Sequence, residues 1–295
     1  MVKCYIKGII AAMVTPMDRQ GQISVSSLRR LTNYLIDGGV HGLCPVGSSG
    51  EAYALTSEER RIVIETVVDE TRGRVPIYAG TGAITTRETI TLTKMAESAG
   101  VQAVLVLTPH FVSPTEQELL EHYTTVAKST SLPVLLYNNP EKTGCRMSPS
   151  LVEKLSMVDN IVGIKDSSGD MTLTAEFIRR TSSDFAVLAG RDTLIYGTLC
   201  YGGRGSIAST ATVAPRLVTE IYNAFVAGDF KRSLEAQFRL TPLRIAFNLG
   251  TFPVVAKEAL NMLGVDVGPP RAPISPLSEE KRRELRQVLV DIGLL

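Results

Sequence analysis

The chain has 295 residues, of which 44% are hydrophobic and 21% charged, enough for one large barrel or two ordinary domains with a sizeable core. Its formal net charge is +1, and outside 279–283 no run of Lys and Arg exceeds two, so a nucleic-acid partner is not expected. No stretch is long enough to span a membrane and no apolar h-region follows Met1, so no membrane partner is predicted and the cytoplasm is the expected compartment.

Short apolar runs recur at 8–14, 42–46, 76–80, 103–107, 133–137, 161–165, 185–190 and 205–208, with helical periodicity between them. Ser57, Glu58, Glu59 and Arg60 open one helix. Thr85 to Glu88 open the next, which ends near Gly100, and Thr115 to Glu118 open a third. Strand-like runs alternating with helices call for a parallel sheet, and eight is the number that closes an α/β (β/α)8 TIM barrel. An open doubly wound sheet would show a G-x-G-x-x-G turn after the first strand, and Val14, Thr15, Pro16 and Met17 are nothing like one. Beyond about Ala214 only helices are predicted, at 215–226, 230–244, 253–263 and 279–292, with 268–273 as a rigid connector. The expected organisation is a barrel over 1–213 and a C-terminal helical appendage over 214–295 packed on it as a single structural unit.

Cys4, Cys44, Cys145 and Cys200 are scattered beside apolar runs without C-x-x-C spacing, which predicts reduced, buried thiols. His41, His110 and His122 share no ligand spacing, and no metal is predicted.

Chemistry in such a barrel sits where strands end. The sixth run closes with Lys165 after Ile161, Val162, Gly163 and Ile164. A buried amine that sheds its proton attacks carbonyl carbon to form a Schiff base; the plainer reading is a lysine that snorkels outward or pairs with Asp166. After the second run, Gly47, Ser48, Ser49, Gly50 and Glu51 form a turn able to aim N–H groups and hydroxyls at a carboxylate. Tyr137 ends the fifth run on the strand beside Lys165, where a phenol can shuttle protons. Arg191 and Asp192 follow the seventh run, and Ile207 and Ser209 close the eighth, downstream of a glycine cluster at 202–205 that is an alternative phosphate cradle.

The combination of G-x-x-G-E at Gly47 to Glu51, Y-N-x-P at Tyr137 to Pro140 and G-I-K-D at Gly163 to Asp166 resembles the dihydrodipicolinate synthase / N-acetylneuraminate lyase family of class I aldolases. The likeness runs from Gly8 to the C-terminal helices. It implies that Lys165 condenses with pyruvate or another 2-oxo acid, that Ser48 and Ser49 hold the carboxylate, and that Tyr137 moves protons. It further implies that no cofactor is needed beyond the covalent imine, and that the assembly is a homotetramer, a dimer of dimers.

Two positions depart from the lysine-pathway synthases. Phe111 stands where a second tyrosine reaches across the dimer, leaving His110 or water to replace its hydroxyl. Lys142 stands where an arginine grips the aldehyde's carboxylate, and a lysine cannot form the planar bidentate clamp. Ile84 occupies the place of an effector-contacting asparagine, so inhibition by lysine is not expected. Asp192 is followed by Thr193 rather than a second acid, which disfavours sialic acid. Arg191, Asp192, Ser209 and Ser167, with Asn248, Thr251 and Phe252 from the appendage, are expected to line the variable part of the pocket. The expected function is a carbon–carbon lyase that joins a 2-oxo acid to an aldehyde outside the lysine pathway, or cleaves a sugar-derived 2-oxo acid. The alternatives are a lysine-pathway synthase using pyruvate and aspartate semialdehyde, a deoxy-sugar-acid dehydratase working through the same imine, and a barrel that binds without turnover.

Overall fold

A computed structural model describes residues 6–295; Cys4 lies outside the described residues. Eight parallel strands, β1 (Gly8–Ala12), β2 (Gly42–Cys44), β3 (Tyr78–Gly80), β4 (Ala103–Leu107), β5 (Val134–Asn138), β6 (Ile161–Asp166), β7 (Ala186–Ala189) and β8 (Gly205–Ala208), form the centre. The hydrogen-bonded order is β2-β1-β8-β7-β6-β5-β4-β3, and a parallel bridge between Leu43 and Ile77 brings β2 beside β3, so the sheet nearly closes into a TIM barrel. The helices that cross between strands are α1 (Val25–Asp37), α2 (Ser57–Thr71), α3 (Thr86–Ser98), α4 (Glu116–Lys128), α5 (Pro140–Thr143), α6 (Pro149–Leu155), α7 (Met171–Arg180) and α8 (Ile195–Cys200), and α9 (Thr210–Val213) follows β8. The chain ends in α10 (Pro215–Val226), α11 (Phe230–Ala246), α12 (Val254–Met262) and α13 (Glu279–Asp291). Among the described residues, no helix is long and apolar enough to cross a membrane.

Side-chain alternation sorts the strands into two layers. Ile10, Ala12, Cys44, Tyr78, Leu105, Leu135, Tyr137, Leu188 and Ile207 fill the barrel interior. Ile9, Leu43, Val104, Val106, Val134, Leu136, Ile164 and Val187 point outward into the core shared with the helices. The β5–β6 ladder contains one irregularity: Val134 pairs with Ile161, but Leu135 pairs with Gly163, leaving Val162 as an extra residue. Ile161 faces the outer core and Val162 packs on the inner one, whereas two residues later Ile164 faces out. The bulge therefore resets the alternation before the strand reaches its functional end.

Six of the crossing helices, α1, α2, α3, α4, α6 and α7, start on a side-chain cap. The hydroxyl of Thr56 accepts from the Glu59 N–H while the Glu59 carboxylate accepts from the Thr56 N–H; Thr115 and Glu118 repeat this box, and Thr85 caps α3. The cap of α2 is thus Thr56, one residue before the predicted Ser57. β2 is shorter than its apolar run because Val46 turns into the left-handed region, at φ 57°, and leaves the ladder. Of the described cysteines, Cys44 and Cys145 are buried, but Cys200, expected inside, is exposed at the end of α8.

Candidate active site

Lys165 and Asp166 leave β6 on opposite faces, and that separates their fates. Asp166 faces the helices and is 3% exposed. Its carboxylate accepts from Asn138 Nδ2 at 2.9 Å, the Ser168 N–H at 3.1 Å, Ser168 Oγ at 2.8 Å and Thr174 Oγ1 at 2.7 Å. Lys165 turns inward, 7% exposed, and pairs in register with Tyr137 on β5. Its ammonium nitrogen stands 4.3 Å from the centroid of the Tyr137 ring. The plainer reading of Lys165, a surface lysine or one paired with Asp166, is thereby overturned.

Tyr137 is 5% exposed, and its oxygen accepts from Asn139 Nδ2 at 3.0 Å. Burial alone would raise the phenol's pKa. The ammonium of Lys165 and the hydroxyls of Ser167 and Ser48 together with the Asn139 amide outweigh that burial, and the pKa lies below the ordinary tyrosine value. Amine, phenol and three polar neighbours therefore converge at one end of the barrel, from the ends of β2, β5 and β6. Gly190, just past β7, is required here: a Cβ there would lie 2.1 Å from Ser167 Oγ and 2.8 Å from the Asp166 carbonyl oxygen.

The turn after β2 runs between two non-glycine residues with left-handed backbones, Val46 at φ 57° and Glu51 at φ 55°. Within it, the Gly50 and Ala52 N–H groups donate to the Gly47 carbonyl at 3.0 and 3.3 Å, and the Glu51 N–H donates to the Ser48 carbonyl at 3.3 Å. Among the described residues, no acceptor faces the N–H of Ser48 or of Ser49. Two donors and two hydroxyls thus share the turn, beside the phenol that Ser48 reaches. Beneath them lies Cys44, whose thiol burial pushes up to about 11 against the pull of the Lys165 charge. Ile207 is fully buried in the same inner layer.

The rim carries the remaining predicted residues, with several corrections. Arg191 donates from Nε to the Ser167 carbonyl at 3.2 Å and forms a short ion pair with Glu141. Lys142, 57% exposed, lies 3.5 Å from the same Glu141 carboxylate, so two cations share one acid. The Arg191 guanidinium, ahead of Lys142, holds the Glu141 carboxyl below its ordinary range. Asp192 is not presented to a pocket: it is fully buried, and its Oδ2 accepts from Ser209 Oγ at 3.1 Å and from the Thr210 N–H at 2.7 Å. Ser209 is engaged in that bond, and Gln237 of α11 donates to the Asp192 carbonyl at 3.0 Å. This pair ties the ends of β7 and β8 to the C-terminal helices. Phe111 is 94% exposed with φ 71°, so within one chain it projects away rather than lining the mouth. Asn248 and Thr251 are exposed, and Phe252 packs against Phe247, 6.3 Å between ring centroids. The glycines at 202–205 lead into β8, at the opposite end of the barrel from Lys165, which removes the phosphate-cradle alternative from the site. A cavity of about 410 Å³ lined by Ser182, Phe185 and Arg204 lies at that same far end.

Sequence reasoning missed Asn138, Asn139 and Glu141. The first two sit in the Y-N-x-P motif already singled out, so the signal was present; Glu141 became visible only through its pairing with Arg191 across the rim.

An inward amine, a phenol in register with it and a donor-rich turn at the C-terminal ends of barrel strands define a class I lyase. The chain belongs to the Dihydrodipicolinate synthetase family, whose sequence profile matches residues 5–292, and it is an enzyme of that class. It is 41% identical over 288 residues to the 4-hydroxy-tetrahydrodipicolinate synthase of Methanothrix thermoacetophila, covering 97% of both chains. It is 39% identical over 293 residues to that of Methanopyrus kandleri, covering 98% of this chain and 97% of the relative. The structure of the chloride-inhibited dihydrodipicolinate synthase of Acinetobacter baumannii complexed with pyruvate superposes with a TM-score of 0.96 at 35% identity, over 98% of this chain and 100% of that one.

Proposed function

We propose that the enzyme forms an imine between Lys165 and pyruvate and adds the resulting enamine to an aldehyde that carries a carboxylate, the reaction type of a 4-hydroxy-tetrahydrodipicolinate synthase. The Lys165 nitrogen attacks the keto carbon, and the carbinolamine loses water as Tyr137 supplies a proton to the departing hydroxyl. Ser48 and Ser49 hold the carboxylate through their hydroxyls and N–H groups. The protonated imine withdraws electrons, a proton leaves the methyl carbon, and the enamine carbon bonds to the aldehyde carbon. Water then releases the product and returns the free amine. The lysine supplies the electrophile, so the proposed cycle needs no metal or organic cofactor.

The observation that carries this reading is the Lys165 nitrogen held 4.3 Å from the centre of the Tyr137 ring. Borohydride trapping with pyruvate tests it: a reduced adduct on the peptide containing Lys165 is expected, absent in Lys165→Ala, and its absence from the parent enzyme refutes the proposal.

For the acceptor, the synthases among the relatives favour aspartate semialdehyde over the non-lysine-pathway substrate anticipated from Phe111 and Lys142. The rim supports the same choice. Two cations share Glu141, leaving positive charge for a substrate carboxylate, and Arg191 offers the planar fork that Lys142 lacks. A second reading rests on Phe111, which lacks the relay hydroxyl: the same imine acting on another aldehyde, or on a sugar-derived 2-oxo acid by cleavage or dehydration. Turnover with pyruvate plus aspartate semialdehyde, against a panel of other aldehydes and sugar acids, decides between them. The family likeness also supports a cytoplasmic homotetramer built from dimers; light scattering on the purified enzyme tests the tetramer.

A further inference from the structure

Among the described residues, Glu51 and Lys257 form an ion pair in which both side chains are completely buried, with Lys257 Nζ 2.5 Å from Glu51 Oε1. The pair links distant parts of the chain. Glu51 ends the turn that carries Ser48 and Ser49, whereas Lys257 lies on α12 in the C-terminal region. The contact is reinforced on both sides. The Arg271 N–H donates to Glu51 Oε2 at 2.8 Å, and Lys257 also donates to the Pro269 carbonyl at 2.9 Å. The Arg271 guanidinium donates to the Ala54 carbonyl at 2.6 Å and to both oxygens of Glu59, which fastens the chain just beyond the turn.

The turn itself is under backbone strain. Val46 and Glu51, at φ 57° and 55°, bracket Gly47 to Gly50, and side-chain-bearing residues hold such a conformation only where surroundings enforce it. The Glu51 carboxylate, locked to Lys257 and to the Arg271 backbone, cannot swing out, so the residue's backbone keeps its left-handed turn.

We propose that Glu51 and Lys257 are positioning residues: their ion pair holds the Ser48–Ser49 turn in its donor-presenting conformation, so that α12 sets the affinity for the 2-oxo acid. This rests on the reading of Ser48 and Ser49 as the carboxylate donors.

The test uses the full-length enzyme with two replacements, Lys257→Met alone and Glu51→Gln combined with Lys257→Met, the second leaving no buried charge unpaired. The pyruvate concentration for half-maximal borohydride-trapped adduct, turnover at saturating pyruvate and thermal melting are measured. A loosened turn raises the half-saturating pyruvate roughly tenfold or more, with saturated turnover within about threefold of the parent, and Lys257→Arg recovers part of the loss. Half-saturation within about twofold of the parent in either folded variant overturns the inference. So does failure of both variants to fold, which assigns the pair to stability alone. Absence of any adduct in the parent is a different failure: it refutes the imine on Lys165 and removes this inference with it.

Discussion

Replacing Tyr137 by phenylalanine separates chemistry from architecture at this site. The ring stays, and with it the face that Lys165 approaches at 4.3 Å; only the oxygen goes. Structurally, the loss strands the buried Asn139 amide, which donates to that oxygen at 3.0 Å, at a cost of about 1–3 kcal/mol. A chain of this size tolerates that. Catalytically, the oxygen belongs to the ring that Lys165 approaches and can exchange protons with the carbinolamine, and its pKa is already lowered toward use. A positioned general acid–base contributes roughly 10²- to 10⁴-fold, equivalent to about 3–5 kcal/mol of barrier at about 1.4 kcal/mol per decade. Turnover should fall by that factor while the borohydride-trapped adduct still forms, more slowly. Because the phenol's pKa lies below its ordinary value, the alkaline limb of the parent's turnover profile should begin below the usual tyrosine range and be missing in the variant. A folded Tyr137→Phe enzyme that turns over within about threefold of the parent would refute the proton-relay role.

Arg191→Ala should raise KM for an aldehyde carrying a carboxylate by roughly ten- to a hundredfold, as expected for loss of a charge-assisted bond, and leave the response to pyruvate and to neutral aldehydes nearly unchanged; equal losses for charged and neutral aldehydes would contradict a clamp. Phe111→Tyr should raise turnover with aspartate semialdehyde if the missing hydroxyl limits the relay, and no gain in steady-state assays removes position 111 from the mechanism. His122 is 7% exposed, and burial lowers its pKa from 6.5 to about 4. Between those values the unfolded chain binds a proton that the folded chain refuses, so the contribution is complete above pH 6.5 and is lost as pH falls toward 4. The loss approaches roughly 3 kcal/mol. Denaturant titrations should show that slope, and His122→Gln should flatten it.

Much of the barrel could be read from sequence because its strands are short apolar runs whose length and spacing survive without any long-range information. Lys165 stood out for the same reason: a charge at the end of such a run is conspicuous. Other features depend on contacts that no local pattern encodes. Asp192 looked like a pocket acid because it follows a strand, yet its carboxylate is consumed by Ser209 and the Thr210 N–H across the β7–β8 boundary. Arg191 could be placed near the pocket, but its ion pair with Glu141 could not, since Glu141 lies on α5 and Arg191 follows β7. Nor does any local signal join Glu51 to Lys257 on a helix near the far end of the chain. Phe111 was identified by position, and its exposure becomes apparent only when its left-handed backbone turns the ring outward.

The extra residue Val162 in the ladder between β5 and β6 has a consequence for how this enzyme can change. Continued without interruption, the alternation set by Ile161 would send the amine toward the helices and the carboxylate of Asp166 into the barrel. Drawing Val162 into the ladder opposite Leu135 would therefore exchange the roles of two neighbouring side chains at a stroke, whereas excising it keeps Leu135 opposite Gly163 and Tyr137 opposite Lys165 and leaves the amine inside the barrel. The direction of the reactive side chain is thus set by which residue of 161–163 is left out of the pairing, not by the lysine itself.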